Sequence, residues 1–178
     1  MDTADQNKSI KNRKIWILDI LLFCGGILID QLTKHLAIGL KSRPIILIAD
    51  VLQLRYVENR GAAFGIFQGQ RIPFIIIFAA VFIVFTWLLV KLPQEKKYNK
   101  LHIALSLILA GAVGNTIDRV IRGYVIDFIY FEIINFPVFN AADIYITVTT
   151  IWLAFIILFV YKDSDFDFLR RKSHEERS

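Results

Sequence analysis

The sequence predicts a mainly α fold: a polytopic membrane protein with four transmembrane helices and a small extracytoplasmic, β-containing loop region. Three observations carry this expectation. Apolar runs of about twenty residues, the length that crosses a bilayer, occupy residues 15–40, 72–92, 101–121 and 141–161. The chain is 56% hydrophobic with mean hydropathy +0.52 over 178 residues. Its positive charge is sorted by side. Lys8, Lys11, Arg13 and Lys14 precede the first run, Lys91, Lys96, Lys97 and Lys100 bracket the second connection, and Lys162, Arg170, Arg171, Lys172 and Arg177 follow the last. Because basic loops stay in the cytoplasm, both termini and the 91–100 connection are expected there. The contrast is moderate, since Lys41, Arg43, Arg55, Arg60 and Arg71 lie in the first outer loop. The net charge of +5 therefore marks topology rather than nucleic-acid binding. Residues 1–178 form one integral-membrane domain with tails at 1–14 and 163–178.

Along the chain, residues 1–14 are polar and expected to fray. The first run is longer than a signal-peptide core and is interrupted by Asp19 and Asp30, so it is a retained helix. Cys24, the single cysteine, excludes an internal disulfide and suits a small hydrophobe of helix one. Asp30 and Lys34 stand four residues apart and suit an intrahelical ion pair near the outer boundary. In the long outer loop, residues 52–56 alternate apolar and polar, as a half-buried strand does. Residues 45–48 are its expected hairpin mate, with Ala49-Asp50 in the turn. Gly61 and the small residues after it favour close backbone approach. Pro93 marks the short cytoplasmic connection. On helix three, Gly111 and Gly114 permit tight packing. Asn115, Asp118, Arg119 and Arg122 share one face of its outer end. Arg122 suits a snorkelling position, and Arg119 a carboxylate partner. Residues 122–139 are aromatic and, with Pro137, extended. The tail from Lys162 is charged and expected to be solvated.

Asp127 and Asp143 lie within a few residues of membrane-grade apolar sequence, where a carboxylate needs a partner or a task. Asp143, like Asn140, also suits the cap of helix four, and Asp127 an ordinary loop. Two acids that meet and share one proton activate water against an amide. A proton or solute pathway lined by Asp127, Asp143 and Arg119, or a structural role with basic partners, stays open beside that reading. Other chemistries fit worse. His35, His102 and His174 are scattered, with no metal-ligand spacing. His102 and Ser106 fall near the cytoplasmic end without an oxyanion-hole sequence. No glycine-rich phosphate loop is present.

Five blocks, in order, carry a resemblance across nearly the whole chain: Asp30-Gln31-Leu32-Thr33-Lys34; Asn59-Arg60-Gly61-Ala62-Ala63-Phe64-Gly65; Gly111-Ala112-Val113-Gly114-Asn115-Thr116-Ile117-Asp118-Arg119; Val125-Ile126-Asp127-Phe128; and Phe139-Asn140-Ala141-Ala142-Asp143. Together they resemble the lipoprotein signal peptidases, or signal peptidases II. Ala110 departs from the pattern, which often has glycine there. The resemblance implies a bacterial inner-membrane aspartyl protease that cuts prolipoproteins on the amino side of a diacylglyceryl-modified cysteine. It implies Asp127 and Asp143 as the catalytic dyad. Asp30, Lys34, Asn59, Gly61, Asn115, Asp118, Arg119 and Asn140 would support the dyad and bind substrate. It further implies prolipoproteins and membrane lipids as partners, globomycin-type inhibitors as ligands, no metal or other cofactor, and a monomer.

Overall fold

The computed structural model describes residues 3–61 and 71–170. Helix α1 spans Thr3–Ala37 and tightens into a 3-10 turn at Ile38–Lys41. Strands β1 (Ile45–Ile48) and β2 (Leu52–Asn59) follow. Then come α2 (Arg71–Lys91), α3 (Asn99–Ile121), β3 (Val125–Phe131) and α4 (Ala141–Phe159). A 3-10 turn at Asp163–Phe166 and one helical turn, α5 (Asp167–Arg170), close the described chain.

α3 is the central post and packs against α1, α2 and α4. Its apolar window is 61% buried, against 22% for that of α1 and 17% for that of α4. The outer helices instead display large apolar side chains, such as Leu28 and Leu36 on α1, Ile76 and Ile83 on α2, and Ile151 and Leu158 on α4. An apolar girdle of this extent is what lipid covers. Among the described residues, three stretches are long and apolar enough to cross a bilayer: Arg13–Lys41, Lys96–Ile121 and Ala141–Phe159. The apolar stretch Ile76–Lys91 of α2 is shorter.

Close packing of α3 depends on missing side chains. A Cβ on Gly111 would stand 2.8 Å from the Ala142 carbonyl oxygen, and one on Gly114 would stand 2.4 Å from Asp30 Oδ2. At one end of the bundle, Leu89, Leu92, Leu101, Leu105 and Ile156 form the main apolar cluster. Beside it lies a buried polar group. His102 Nδ1 is 2.9 Å from Asp19 Oδ2, and Ser106 Oγ donates to Asp19 Oδ1 at 3.2 Å. The serine hydroxyl thus serves the carboxylate rather than the imidazole, an arrangement that cross-links α1 and α3.

At the other end the strands form one antiparallel sheet in the order β1-β2-β3. The expected hairpin is present, its turn carried by Asp50 at φ 58. β2 runs on to Asn59 and pairs with β3, Val57 opposite Asp127 and Asn59 opposite Val125, with a bulge between Leu54 and Val57. Phe139 then adds one more rung. Its carbonyl accepts from Phe128 N and Ile129 N, and its own N–H donates to the Ile129 carbonyl. That rung ties the start of α4 to β3.

Several local expectations differ. The 122–139 segment is extended, but its first half is a paired strand with Val125, Ile126, Asp127 and Phe128 buried. Aromatic content hid that strand. The start of the chain is helical from Thr3, so α1 extends well before the apolar run. Cys24 lies on the exposed face of α1. The tail is not wholly solvated: the Tyr98 hydroxyl donates to the Asp165 carbonyl at 2.9 Å, and Lys97 pairs with the Asp165 carboxylate. Phe166 and Phe168 pack on the main cluster. The small-residue stretch at 62–65 lies outside the described residues.

Candidate active site

Asn140 begins α4 as its N-cap. Its Oδ1 accepts from Asp143 N, and its own N–H donates to Asp143 Oδ2, both at 3.1 Å, a reciprocal capping box. Capping therefore uses one oxygen of Asp143. The other, Oδ1, accepts from Asn115 Nδ2 at 2.8 Å. The cap and the candidate catalytic carboxylate are one group.

Asp127 reaches the same place from β3 and is 2% exposed. Its Oδ1 accepts from Asn140 Nδ2 at 2.7 Å, and its Oδ2 from Asn59 Nδ2 at 2.8 Å. Asn59 is steadied by the Gly61 N–H, which donates to its Oδ1 at 3.0 Å. Asn140 thus touches both carboxylates. Burial first, then the charge of Asp143, push the Asp127 carboxyl up to about 7, against the pull of the Asn59 and Asn140 amides and of Lys34. This is the signature of two acids that share one site.

A third layer stands behind the pair. Lys34 Nζ is wholly buried and donates to Asp30 Oδ2 and Asn115 Oδ1, each at 2.8 Å, and lies 3.0 Å from Asp118 Oδ2. Asp30 Oδ1 accepts from the Ala142 N–H at 3.1 Å. Asp118 also pairs with Arg122 and accepts from Ile126 N. Arg122 is thus a partner of Asp118 rather than only a snorkelling side chain. Asp30 and Lys34 are no exposed surface pair; both are 0% exposed. Arg119 Nη1 donates to the Asn115 carbonyl at 3.3 Å, with Asp143, Asp127 and Asp118 as the carboxylates whose charges bear on it.

Asp30, Lys34, Asn59, Gly61, Asn115, Asp118, Arg119, Asp127, Asn140 and Asp143 therefore join one connected region, whereas Asp19, His102 and Ser106 form a separate group. One contributor was missed: Gln31 Nε2 donates to Asp30 Oδ2 and to the Gly114 carbonyl. Gly114, expected to permit tight packing, leaves the space that Asp30 fills. Among the described residues, no group of three or more His, Cys, Asp or Glu side chains could hold a metal ion.

A family model described as signal peptidase (SPase) II matches residues 22–159. The chain is 45% identical over 145 residues to a lipoprotein signal peptidase of Caldanaerobacter subterraneus subsp. tengcongensis, covering 79% of this chain and 95% of the relative. A lipoprotein signal peptidase of Clostridium tetani is 38% identical over 156 residues, covering 84% of this chain and 96% of the relative. A solved structure described as a bacterial membrane enzyme superposes with a TM-score of 0.72 at 31% identity, over 89% of this chain and 93% of that one.

Proposed function

The chain belongs to the signal peptidase II family, and from that premise we propose that it is an aspartyl endopeptidase that removes signal peptides from diacylglyceryl-modified prolipoproteins. Cleavage falls on the amino side of the lipidated cysteine. One observation carries the reading: Asp127 and Asp143, brought from a strand and a helix, are both bound to Asn140, with Asp127 held near 7.

Chemistry follows from that pair. Asp127, the more buried acid, carries the shared proton, and Asp143, half-buried at the head of α4, acts as the base. Asp143 takes a proton from a water molecule as the water oxygen attacks the scissile carbonyl carbon. Asp127 gives its proton to the carbonyl oxygen, stabilising the developing oxyanion. The tetrahedral intermediate collapses as Asp143 passes the proton it took from water to the cysteine nitrogen, the C–N bond breaks, and a hydroxyl of the intermediate returns a proton to Asp127. Water supplies both new groups, a carboxyl on the signal peptide and an amine on the lipoprotein, with no metal, cofactor or covalent intermediate. Asn59, Asn115, Arg119 and Asn140 hold the carboxylates and offer contacts to substrate backbone. Globomycin-type inhibitors would occupy the same place.

In the membrane, the protein is a monomer with four spans and cytoplasmic termini, and the dyad lies near the outer face. Charge asymmetry supports this orientation. So does the gathering of the sheet, the end of α3 and the start of α4 at the end opposite Lys97 and Asp165. Two acyl chains hold the scissile bond at the outer headgroup level, each buried methylene contributing about 0.8 kcal/mol of membrane affinity. The test compares a diacylglyceryl-modified precursor with the same precursor bearing a free cysteine thiol, at equal concentration in the same micelles. The modified form is cut far faster, immediately before the cysteine. Equal rates would overturn the lipid-reading part of the proposal.

A further inference from the structure

Lys34 lies outside the reacting pair and has no exposed surface with which to meet substrate. Its ammonium has three N–H donors and no acceptor. Three oxygens receive them: Asp30 Oδ2, Asp118 Oδ2 and Asn115 Oδ1. The Asn115 contact has a directional consequence. An ammonium tolerates only the oxygen end of an amide, and Asn140 Nδ2 donates to that same oxygen at 3.1 Å. With its oxygen fixed by two donors, the Asn115 amide must turn its NH2 outward, where it donates to Asp143 Oδ1 at 2.8 Å. The reversed amide would set NH2 against an ammonium and oxygen against a carboxylate, losing all three bonds.

We infer that Lys34 is a positioning residue for the dyad: its ammonium fixes the flip of the Asn115 amide, which in turn holds Asp143, and its charge sets the pH window in which the pair shares one proton. The inference rests on the proposed roles of Asp127 and Asp143 and adds what governs them. Lys34 acts through a relay of two hydrogen bonds and also directly, since its charge pulls the Asp127 carboxyl down. The charged groups around the relay are Asp30 from α1, Asp118, Arg119 and Arg122 from α3, Asp127 from β3 and Asp143 from α4. Lys34 and Arg122 balance Asp30 and Asp118, so removal of Lys34 alone would strand a buried carboxylate. Pairing Lys34→Met with Asp30→Asn avoids this. The asparagine keeps an oxygen for the Ala142 N–H, and Asp118 keeps Arg122.

The experiment measures the pH dependence of kcat and KM on a diacylglyceryl-modified precursor in micelles. Four proteins are compared: the natural chain, Asp30→Asn, the Asp30→Asn/Lys34→Met double variant, and Asp127→Asn as control. The double variant is expected to keep KM within about twofold and to lose about tenfold or more in kcat, the worth of a hydrogen bond to a charged group. Compared with Asp30→Asn, from which it differs only by the missing ammonium, both limbs of its pH profile lie at higher pH. Asp30→Asn alone, which removes an anion and keeps the ammonium, moves them to lower pH. Limbs of the double variant that lie above those of Asp30→Asn support the inference even if one variant is poorly active. Limbs that coincide in the two variants, with activity falling only in step with the folded fraction, would overturn it. An active Asp127→Asn control would instead strike at the dyad itself, so the two failures are distinguishable.

Discussion

Replacement of Asp127 by asparagine should change stability in a pH-dependent way that can be worked out in advance. In the unfolded chain this carboxyl titrates near 3.8, and in the fold near 7. Between those values the native state binds the extra proton, so stability falls as pH rises through the window. Below it the acid is neutral in both states and costs nothing. Above it the full cost of ionising a buried acid beside Asp143 is present, up to about 4 kcal/mol at roughly 1.4 kcal/mol per pH unit. Asparagine cannot ionise, so it removes that dependence. It carries a separate, pH-independent cost. One end of its amide is an NH2, and both positions it can occupy face donors, Asn59 Nδ2 and Asn140 Nδ2. An unmet pair of this kind costs about 1–3 kcal/mol. The variant should therefore melt at or below the natural protein at pH 4.5 and gain on it steadily, melting higher by pH 8.5. Thermal unfolding in one detergent across that range measures it. Melting curves that stay parallel at every pH would refute the reasoning, because they would mean that Asp127 does not hold its proton in the fold.

Asn140→Ala should lose both stability and cleavage, since it removes the α4 cap and the donor to Asp127. Asn140→Ser should recover about 1 kcal/mol through its hydroxyl cap while cleavage stays down by about tenfold or more; thermal melts and rates on both variants separate these effects. Labelling of single cysteines in a Cys24→Ala background should reach Gln68 from outside and miss Glu95, and the reverse would invert the membrane orientation. Gly114→Ala should depress folded yield and activity together, as its methyl would stand 2.4 Å from Asp30 Oδ2, and detergent-extracted yield checks it.

The helices were legible because an apolar run of twenty residues has few alternatives to a span, and each observed helix begins and ends close to its expected limits outside the first turns of α1. The hairpin at 45–56 was legible from the alternation at 52–56 and the turn at Ala49-Asp50, but the run of β2 on to Asn59 was not. β3 was not. Val125-Ile126-Asp127-Phe128-Ile129-Tyr130 has no polar alternation, since both its faces are covered, and a run buried on both sides carries no period. The candidate residues Asn115, Asp118, Asp127 and Asp143 stood out as polar groups in apolar surroundings, whereas Asp30 and Lys34 read as an ordinary intrahelical pair until the resemblance set them beside the others. Their order of connection did not stand out. That Asp143 caps its own helix while presenting a second oxygen to Asn115 depends on a reciprocal bond with Asn140. That Lys34 is buried among oxygens from α1 and α3, rather than snorkelling, depends on the space opened by Gly114. Asp19 was left without a task, because its partners, His102 and Ser106, are more than eighty residues away in sequence.

The most direct measurement is cleavage of a diacylglyceryl-modified precursor by purified protein carrying Asp127→Asn or Asp143→Asn, each first shown by its melting curve to be folded. Neither variant turns over substrate at any pH, and excess chelator leaves the natural rate unchanged. Substantial cleavage by either folded variant, or a chelator-sensitive rate restored by zinc, would contradict this mechanism.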